Sequence, residues 1–189
     1  MGKKVVITGV PGVGKTTVIN QAISELASEG VEYQNINFGS CMFDVASGQG
    51  LVKSRDEIRK LEQAKQRELQ RNAAQFIAKT EGNVIIDTHC TVKTPGGYLA
   101  GLPEWVLKEL MPDTFILVET DEDQILMRRM GDETRVRDAE GYRALCEHQQ
   151  FNRSMAASYA MLTGCTVKII VNADNLLDRS VEELKEILR

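Results

Sequence analysis

The sequence predicts a three-layer α/β sandwich built on a five-stranded parallel sheet. Three observations predict it. Five short strand-like runs recur at about 4–8, 32–37, 83–88, 114–119 and 166–171, and helical patterns separate them, the alternation expected of a parallel sheet. The first run, Lys4-Val5-Val6-Ile7-Thr8, is apolar on both faces, as a strand covered by helices on both sides must be. The chain has 189 residues with 42% hydrophobic and 26% charged content, the size and balance of one domain with a full core.

The first strand runs straight into Gly9-Val10-Pro11-Gly12-Val13-Gly14-Lys15-Thr16-Thr17. This matches G-x-x-x-x-G-K-[ST], the Walker A loop, from Gly9 to Thr16. Glycines let the backbone wrap closely enough for several N–H groups to face one phosphate chain. A helix starting near Gly14 adds its positive end. Lys15 places an ammonium near the β- and γ-phosphates, and Thr16 offers a hydroxyl to Mg²⁺. A chance match in a glycine-rich turn is the competing reading; the strand before and the helix after are the context the motif requires.

The first helix, about 15–28, carries Val18, Ile19, Ala22, Ile23 and Leu26 on one face and stops at Gly30. After the second strand, residues 38–80 read as helical. Met42, Phe43, Val45 and Ala46 suggest a short helix ending near Gly48 or Gly50. Ser54-Arg55-Asp56-Glu57 resembles a capping box. From 61 to 79, Leu69, Ala73, Phe76 and Ile77 fit an amphipathic helix. About 40 residues exceed what one crossover needs, so the segment is expected to be an insertion standing over the sheet, or else a bundle capping the sheet edge.

The third strand, Asn83-Val84-Ile85-Ile86-Asp87-Thr88, ends in an acid, the Walker B pattern. Asp87 is then either a partner of the metal's waters or a strand-end cap. Residues 88–103 are rich in turn formers and follow a strand's carboxyl end, where ligands sit in open α/β sheets, so they are expected to form a substrate-facing loop. His89, one of two histidines, is open between substrate contact and a structural hydrogen bond.

A short helix (103–110), the fourth strand and a helix from Asp121 to Met130 follow. Four arginines, Arg128, Arg129, Arg135 and Arg137, then fall within ten residues across a glycine-bearing break. Planar guanidinium forks suit phosphate oxygens, which predicts a phosphate-gripping lid over about 128–138; a solvated, salt-bridged face is the alternative. A long helix is expected over 139–162, with Leu145, Phe151, Met155 and Tyr159 partly in register on one face. After the last strand, Ser180-Val181-Glu182-Glu183 is expected to cap a final helix with Val181, Leu184, Ile187 and Leu188 inward.

Net charge of −4 and pI near 5.3 argue against a broad nucleic-acid surface. No apolar run approaches the roughly 18 residues of a membrane span, and the N-terminus enters a strand at once, so neither membrane anchor nor signal peptide is expected and the cytoplasm is the expected location. Cys41, Cys90, Cys146 and Cys165 lack C-x-x-C spacing and read as small hydrophobes or free thiols.

Three classes compete for such a phosphate loop. A GTPase switch needs N-K-x-D, and Asn172-Ala173-Asp174-Asn175 is not that. A motor ATPase needs partner domains that 189 residues scarcely hold. A small-molecule kinase needs a donor loop, an acceptor pocket and a lid, and the chain has a candidate for each.

Along nearly its whole length the sequence resembles the archaeal adenylate kinases, P-loop nucleoside monophosphate kinases. The resemblance is carried by Gly9 to Thr17, Asn37-Phe38-Gly39, and the block from Asp87-Thr88-His89 through Val92-Lys93-Thr94-Pro95 to Gly97-Tyr98-Leu99 and Gly101-Leu102-Pro103. Further on it is carried by Glu119-Thr120, Ile125 to Arg129, Thr134 to Asp138, Glu147-His148-Gln149 and Thr163 to Ile170. It implies a single P-loop kinase domain over 1–189, with 38–80 as the AMP-binding insertion. It also implies reversible phosphoryl transfer from ATP to AMP giving two ADP, with Mg²⁺, and a homotrimer. The short lid lacks the four-cysteine cluster of the long bacterial type, so no zinc is expected.

The roles expected on this basis follow. Lys15 and the amides of the loop made by Gly9, Val10, Pro11, Gly12, Val13, Gly14, Lys15, Thr16 and Thr17, in which Pro11 itself has no N–H, hold the donor phosphates. Thr16 and Asp87 serve the metal. Arg135 and Arg137 close over the transferring group, with Arg128 or Arg129 at the lid base. Arg59, in preference to Arg55, holds the AMP phosphate, and Thr88, His89 and Thr94 line the acceptor pocket. Two rivals stand beside this reading: a kinase for another acceptor, such as CMP, UMP or a small alcohol, and a P-loop ATPase acting as an assembly factor.

Overall fold

Strand β1 (Lys4–Thr8) lies at the centre of the parallel sheet. In the computed structural model, which describes residues 2–131 and 141–189, it pairs with β3 (Asn83–Asp87) on one side and β6 (Thr114–Glu119) on the other. β2 (Tyr33–Asn37) lies outside β3 and β7 (Thr166–Val171) outside β6, giving the order β2-β3-β1-β6-β7. The chain fills one flank of β1 before the other, so the carboxyl end of β1 opens onto a crevice between diverging connections, where α/β sheets bind ligands. Register brings the chemistry to that edge: Asp87 pairs with Ile7 on one side and with Asn37 on the other.

Alternation along the strands makes two cores. Val5 and Ile7 face helix α1 (Lys15–Ser28) and helix α8 (Leu177–Leu188), with Val18, Ile19, Leu26, Val181 and Leu184 fully or nearly fully buried there. Val6, Ile86, Phe115 and Leu117 face the opposite side, against α2 (Phe38–Gly48), α4 (Gln63–Lys79), α5 (Glu104–Leu110) and α7 (Tyr142–Thr163). The three inner strands, β1, β3 and β6, are therefore apolar on both faces because both are covered.

Within 38–80, α2, α3 (Arg55–Ile58) and α4 divide their work. Ala73, Ala74 and Ile77 seat the second half of α4 on the sheet. Leu69 joins Ala46 and Val52 in a satellite core with Ile58 and Leu61 around it. The segment is thus rooted on the sheet and carries a small core of its own beyond it. Phe76 is not inward as expected: it is 61% exposed, over a groove beside edge strand β2 lined by Ile36 and Val45, because among the described residues no further strand lies beyond β2 to cover it. The capping box forms only in part. Ser54 makes no side-chain cap bond, and Glu57 accepts from the backbone N–H of Lys53 instead.

Three further expectations are corrected. Residues 88–103 contain a hairpin, β4 (Thr91–Thr94) antiparallel to β5 (Gly97–Ala100), about a Pro95-Gly96 turn. In α7 the buried stripe holds Leu145, Ala156 and Tyr159, but also His148, Gln149 and Asn152; Phe151 is 38% exposed and Met155 only partly buried. These polar groups are inward because they have partners: Asn152 Oδ1 accepts from Thr91 Oγ1 at 2.6 Å, His148 Nε2 lies 3.1 Å from the same hydroxyl, and Gln149 Nε2 donates to the Thr120 carbonyl. Ser180 does not cap α8, which begins earlier, at Leu177. Its buried hydroxyl is bonded to the Val171 and Leu176 carbonyls.

Helix α6 (Glu122–Met130) completes the described elements. All four cysteines are free thiols. Among the described residues no helix is long and apolar enough to cross a membrane.

Gly101 closes the hairpin with its N–H on the Cys90 carbonyl. A Cβ there would fall inside the van der Waals shell of the His89 carbonyl oxygen, a backbone atom that cannot rotate away. Gly101→Ala is expected to lower stability by about 2–3 kcal/mol, read as a fall in the urea midpoint. An unchanged midpoint would mean that the hairpin base is freely deformable.

Candidate functional site

Residues 9–14 turn sharply between β1 and α1. Gly12 and Gly14 have φ of 104° and 82°, a region that suits glycine. Gly9 lacks room for a side chain: a Cβ would lie 2.5 Å from the Val118 carbonyl oxygen. Gly14 stands at the N-cap of α1 and makes no side-chain cap bond, so the first amides of the helix have no competing cap. The loop's carbonyls are engaged elsewhere. Arg129 Nε donates to the Pro11 carbonyl at 2.8 Å, and Arg128 Nη1 and Asn172 Nδ2 donate to the Val13 carbonyl at 3.1 and 2.8 Å. Arg128 also reaches the Asn172 carbonyl at 3.0 Å and forms an ion pair with Asp174. Two arginines from the end of α6 and a buried asparagine after β7 therefore brace the loop through its oxygens.

Lys15 opens α1 and forms an ion pair with Asp87 at the end of β3. Burial pushes the Lys15 pKa down to about 8. The neighbouring carboxylate works the other way, so the group remains an ammonium at neutral pH. The second Asp87 oxygen accepts from Asn37 Nδ2 at 3.4 Å. Asn37 Oδ1 caps α2 by accepting from Ser40 N, and it also accepts from Arg55 at 3.1 Å. A chain of polar contacts thus joins Lys15 to the insertion. His89 lies beyond: its side chain is open to the cleft, yet the surrounding protein and the charges of Lys15 and His148 hold its pKa below the usual imidazole range, with the Gly9 backbone opposing them. It is neutral at pH 7.

These groups share one cleft of about 940 Å³. Its lining takes in the whole of residues 9–17, Asp87, Thr88, His89, Arg55, Arg59 and Arg128. The glycine loop, the acid and the insertion arginines are therefore brought together. Arg55 and Arg59 both reach the lining. Thr94 does not; its hydroxyl donates to the Gly97 carbonyl inside the hairpin turn. Arg135 and Arg137 lie outside the described residues. Thr16 and Asp87 supply a hydroxyl and a carboxylate to the same hollow. That donor set fits Mg²⁺, which takes few protein oxygens and completes its shell with phosphate and water.

Other contributors had little or no signal in the sequence. Asn172 and Asn37 act through backbone geometry that spans the fold. Val92 and Leu99, cross-strand partners in the hairpin, are 41% and 60% exposed but face the cleft, which gives two exposed apolar side chains a purpose. Glu119, buried at the end of β6, is held bidentately by Arg153 of α7 at 3.0 Å and fastens that helix to the sheet's carboxyl edge. The pair Gln66 and Gln70 also lines the cleft.

Comparison with known proteins bears on this geometry. A family model described as an AAA domain matches residues 8–145. The adenylate kinase of Methanoculleus marisnigri is 62% identical over 191 residues, covering 100% of both chains. That of Methanocaldococcus jannaschii is 55% identical over 99% of this chain and 98% of its own. Among solved structures, a shikimate kinase from Bacteroides thetaiotaomicron superposes with a TM-score of 0.61 at 20% identity, covering 98% of each chain. A gluconokinase from Sinorhizobium meliloti gives 0.53 at 15%, covering 98% of this chain and 91% of its own. At such identities the solved structures speak for the fold alone.

The burial of Lys15 gives a pH dependence whose two readouts move in opposite directions. Between about 8 and the ordinary lysine value of 10.5, the unfolded chain holds a proton that the folded site has released. This group's contribution to stability therefore rises with pH across that window. A phosphate held by the Lys15 ammonium would be held less well as that charge is lost. kcat/KM for the nucleotide is expected to decline with an apparent pKa near 8, without a matching drop in thermal midpoint. A profile flat to pH 10 would contradict this.

Proposed function

We propose a division of labour in the cleft from one premise: the chain belongs to the adenylate kinase family, and it transfers the γ-phosphoryl group of ATP reversibly to AMP, giving two ADP. The observation that carries the proposal is the continuity of one cleft from the glycine loop to the insertion arginines, since both nucleotides must meet in one space.

Lys15 and amides of the 9–17 loop hold the donor's phosphates. Thr16 and Asp87 are the residues that would hold Mg²⁺, which when bound neutralises phosphate charge and orients the donor. Lys15 then leaves Asp87 for the phosphates. On the acceptor side Arg59, with Arg55 beside it, takes the AMP phosphate, and Thr88 and His89 border it. A neutral His89 can donate and accept without adding charge. Thr94 contributes through the hairpin that carries Val92 and Leu99. An oxygen of the AMP phosphate attacks the γ-phosphorus in line while the bond to the β–γ bridging oxygen breaks. That oxygen is already ionised at neutral pH, so the chain needs no strong general base. Arg135 and Arg137, on a short lid spanning about 128–138, close over the moving group, stabilise its charge and exclude water, which would otherwise take AMP's place. Arg128 and Arg129 anchor the lid's near end through the loop carbonyls.

The same reading makes 1–189 one kinase domain with 38–80 as the acceptor-binding insertion, working in the cytoplasm as a homotrimer and without zinc, nucleic acid or membrane. Supporting self-association, edge strand β7 exposes Val167, Ile169 and Val171, which share one face by period two.

The test is a turnover panel: protein and Mg-ATP offered AMP, GMP, CMP, UMP or no acceptor, with ADP followed. Strong dependence on AMP is expected, with little ADP when no acceptor is added; steady acceptor-independent hydrolysis would instead fit an ATPase. Lys15→Ala is expected to abolish transfer with the fold retained by circular dichroism. Arg137→Ala is expected to lower kcat on the order of 10³-fold; an unaltered kcat would remove that arginine from the transition state.

A further inference from the structure

The hairpin of β4 and β5 stands apart from the main sheet. Two strands alone are marginal in water, so its place is set by what it packs on. Side chains alternate along a strand, which gives the hairpin two faces. Val92 and its cross-strand partner Leu99 line the cleft. Thr91 and Tyr98, one position away from each, turn to α7. Behind this wall of the cleft there is thus a contact with a single helix.

Helix α7 meets that face along one stripe, positions 148, 151, 152 and 159. The Tyr98 ring lies 5.1 Å from that of His148 and stacks on Phe151 at 4.8 Å. Tyr159 donates its hydroxyl proton to the Cys90 carbonyl at 2.8 Å. At the centre is the Thr91 hydroxyl, buried with His148 and Asn152 around it. It donates to Asn152 Oδ1 at 2.6 Å. A hydroxyl has one proton, so towards His148 Nε2, at 3.1 Å, Thr91 can only accept. The proton of that bond therefore sits on His148 Nε2. Hydrogen bonds are directional, and buried polar groups are costly when misaligned. A trio of this kind favours one placement of the hairpin where apolar packing would tolerate several. Among the described residues neither His148 nor Asn152 lines the cleft. They reach it through the chain: Val92 follows Thr91 directly, and His89 precedes it by two positions.

We propose that His148 and Asn152 are positioning residues for phosphoryl transfer. Acting through the Thr91 hydroxyl, they set how far the wall of Val92, Leu99 and His89 stands from the acceptor. A misplacement of about 1 Å at such a wall costs up to about 100-fold in rate. The glycine loop is braced independently, by Arg128, Arg129 and Asn172 on its carbonyls. Loss of the Thr91 network therefore acts on the acceptor and spares the donor. The inference rests on the reading above that His89 and the hairpin border the acceptor.

The experiment measures kcat and the KM of AMP and of ATP in the wild type, Thr91→Val, Thr91→Ser, His148→Leu and His148→Gln, with the thermal midpoint of each. Thr91→Val keeps the shape and removes the hydroxyl. It is expected to raise the AMP KM by about tenfold or more and to leave the ATP KM within about twofold. His148→Leu is expected to do the same, and it carries the test if Thr91→Val does not fold. Thr91→Ser retains the hydroxyl, and the amide in His148→Gln can still donate to it, so both are expected to keep the AMP KM close to that of the wild type. Leu184→Ala, in the core on the opposite face of the sheet, is the control: it lowers the midpoint and moves neither KM. A second readout needs no turnover. The chain has two histidines, and His148→Gln tells their ¹⁵N signals apart. His148 is expected to carry its proton on Nε2, with an N–H slow to exchange in the wild type and fast in Thr91→Val. An AMP KM unmoved in the folded Thr91→Val and His148→Leu variants, a rise shared equally by ATP, or an unprotonated Nε2 on His148 overturns the proposal while leaving phosphoryl transfer to AMP standing. If the wild type transfers to no monophosphate, the functional reading fails first and takes this one with it.

Discussion

The structure depends on a demand made by six residues of backbone. Between β1 and α1 the chain turns sharply through residues 9–14, which line the cleft, and the Pro11 and Val13 carbonyls are bonded by side chains from elsewhere in the fold. Those oxygens need partners or the loop will not hold its form. Arg128, Arg129 and Asn172 supply them from the end of α6 and the segment after β7. The requirement reaches far from the loop. It ties the segment after the last strand to the loop after the first and joins the end of α6 to the same loop. It also places Asp174 where it can hold Arg128 in position.

A second theme is polarity spent inside the protein on position rather than on stability. Helix α7 buries His148, Gln149 and Asn152, which would weaken an ordinary core. Here two of them meet the Thr91 hydroxyl and fix the root of the hairpin, while Gln149 takes the Thr120 carbonyl. The hairpin in turn carries Val92 and Leu99 to the cleft. The Glu119–Arg153 pair acts similarly at the carboxyl end of β6. In α4 the same logic appears as Gln66 and Gln70, amides held by the Leu61 carbonyl and the Trp105 indole.

Legibility in the sequence followed the range of the forces involved. The three inner strands were readable because burial on both faces leaves a local apolar signature, as in Val5-Val6-Ile7 and Val84-Ile85-Ile86, and the two edge strands from their place in the alternation with helices. The glycine loop was readable because its chemistry is carried by consecutive residues. Phe76 and Phe151 misled for one reason: an aromatic in a helical pattern predicts burial, but neither faces covered core. Phe76 overhangs the sheet edge, and Phe151 stacks on Tyr98 of the hairpin at 4.8 Å. The hairpin itself was hidden because strands of four residues are too short to set up a clear alternation, so its turn formers read as loop.

By itself, then, the sequence determined the parallel sheet, the phosphate loop with Lys15 and Thr16, the acid at Asp87, and the kinship with adenylate kinases carried by its motifs. All of these are encoded in contiguous residues or in short-period patterns. Only the tertiary structure decided what meets across distance: Asn37 with Asp87, Asn172 with Val13, Trp105 with Gln70, and a single cleft running from the glycine loop to α4. The physical reason is that a polar side chain's role is set by the partner that satisfies it. Those partners lie tens to more than a hundred residues away in the chain, so no local pattern records them.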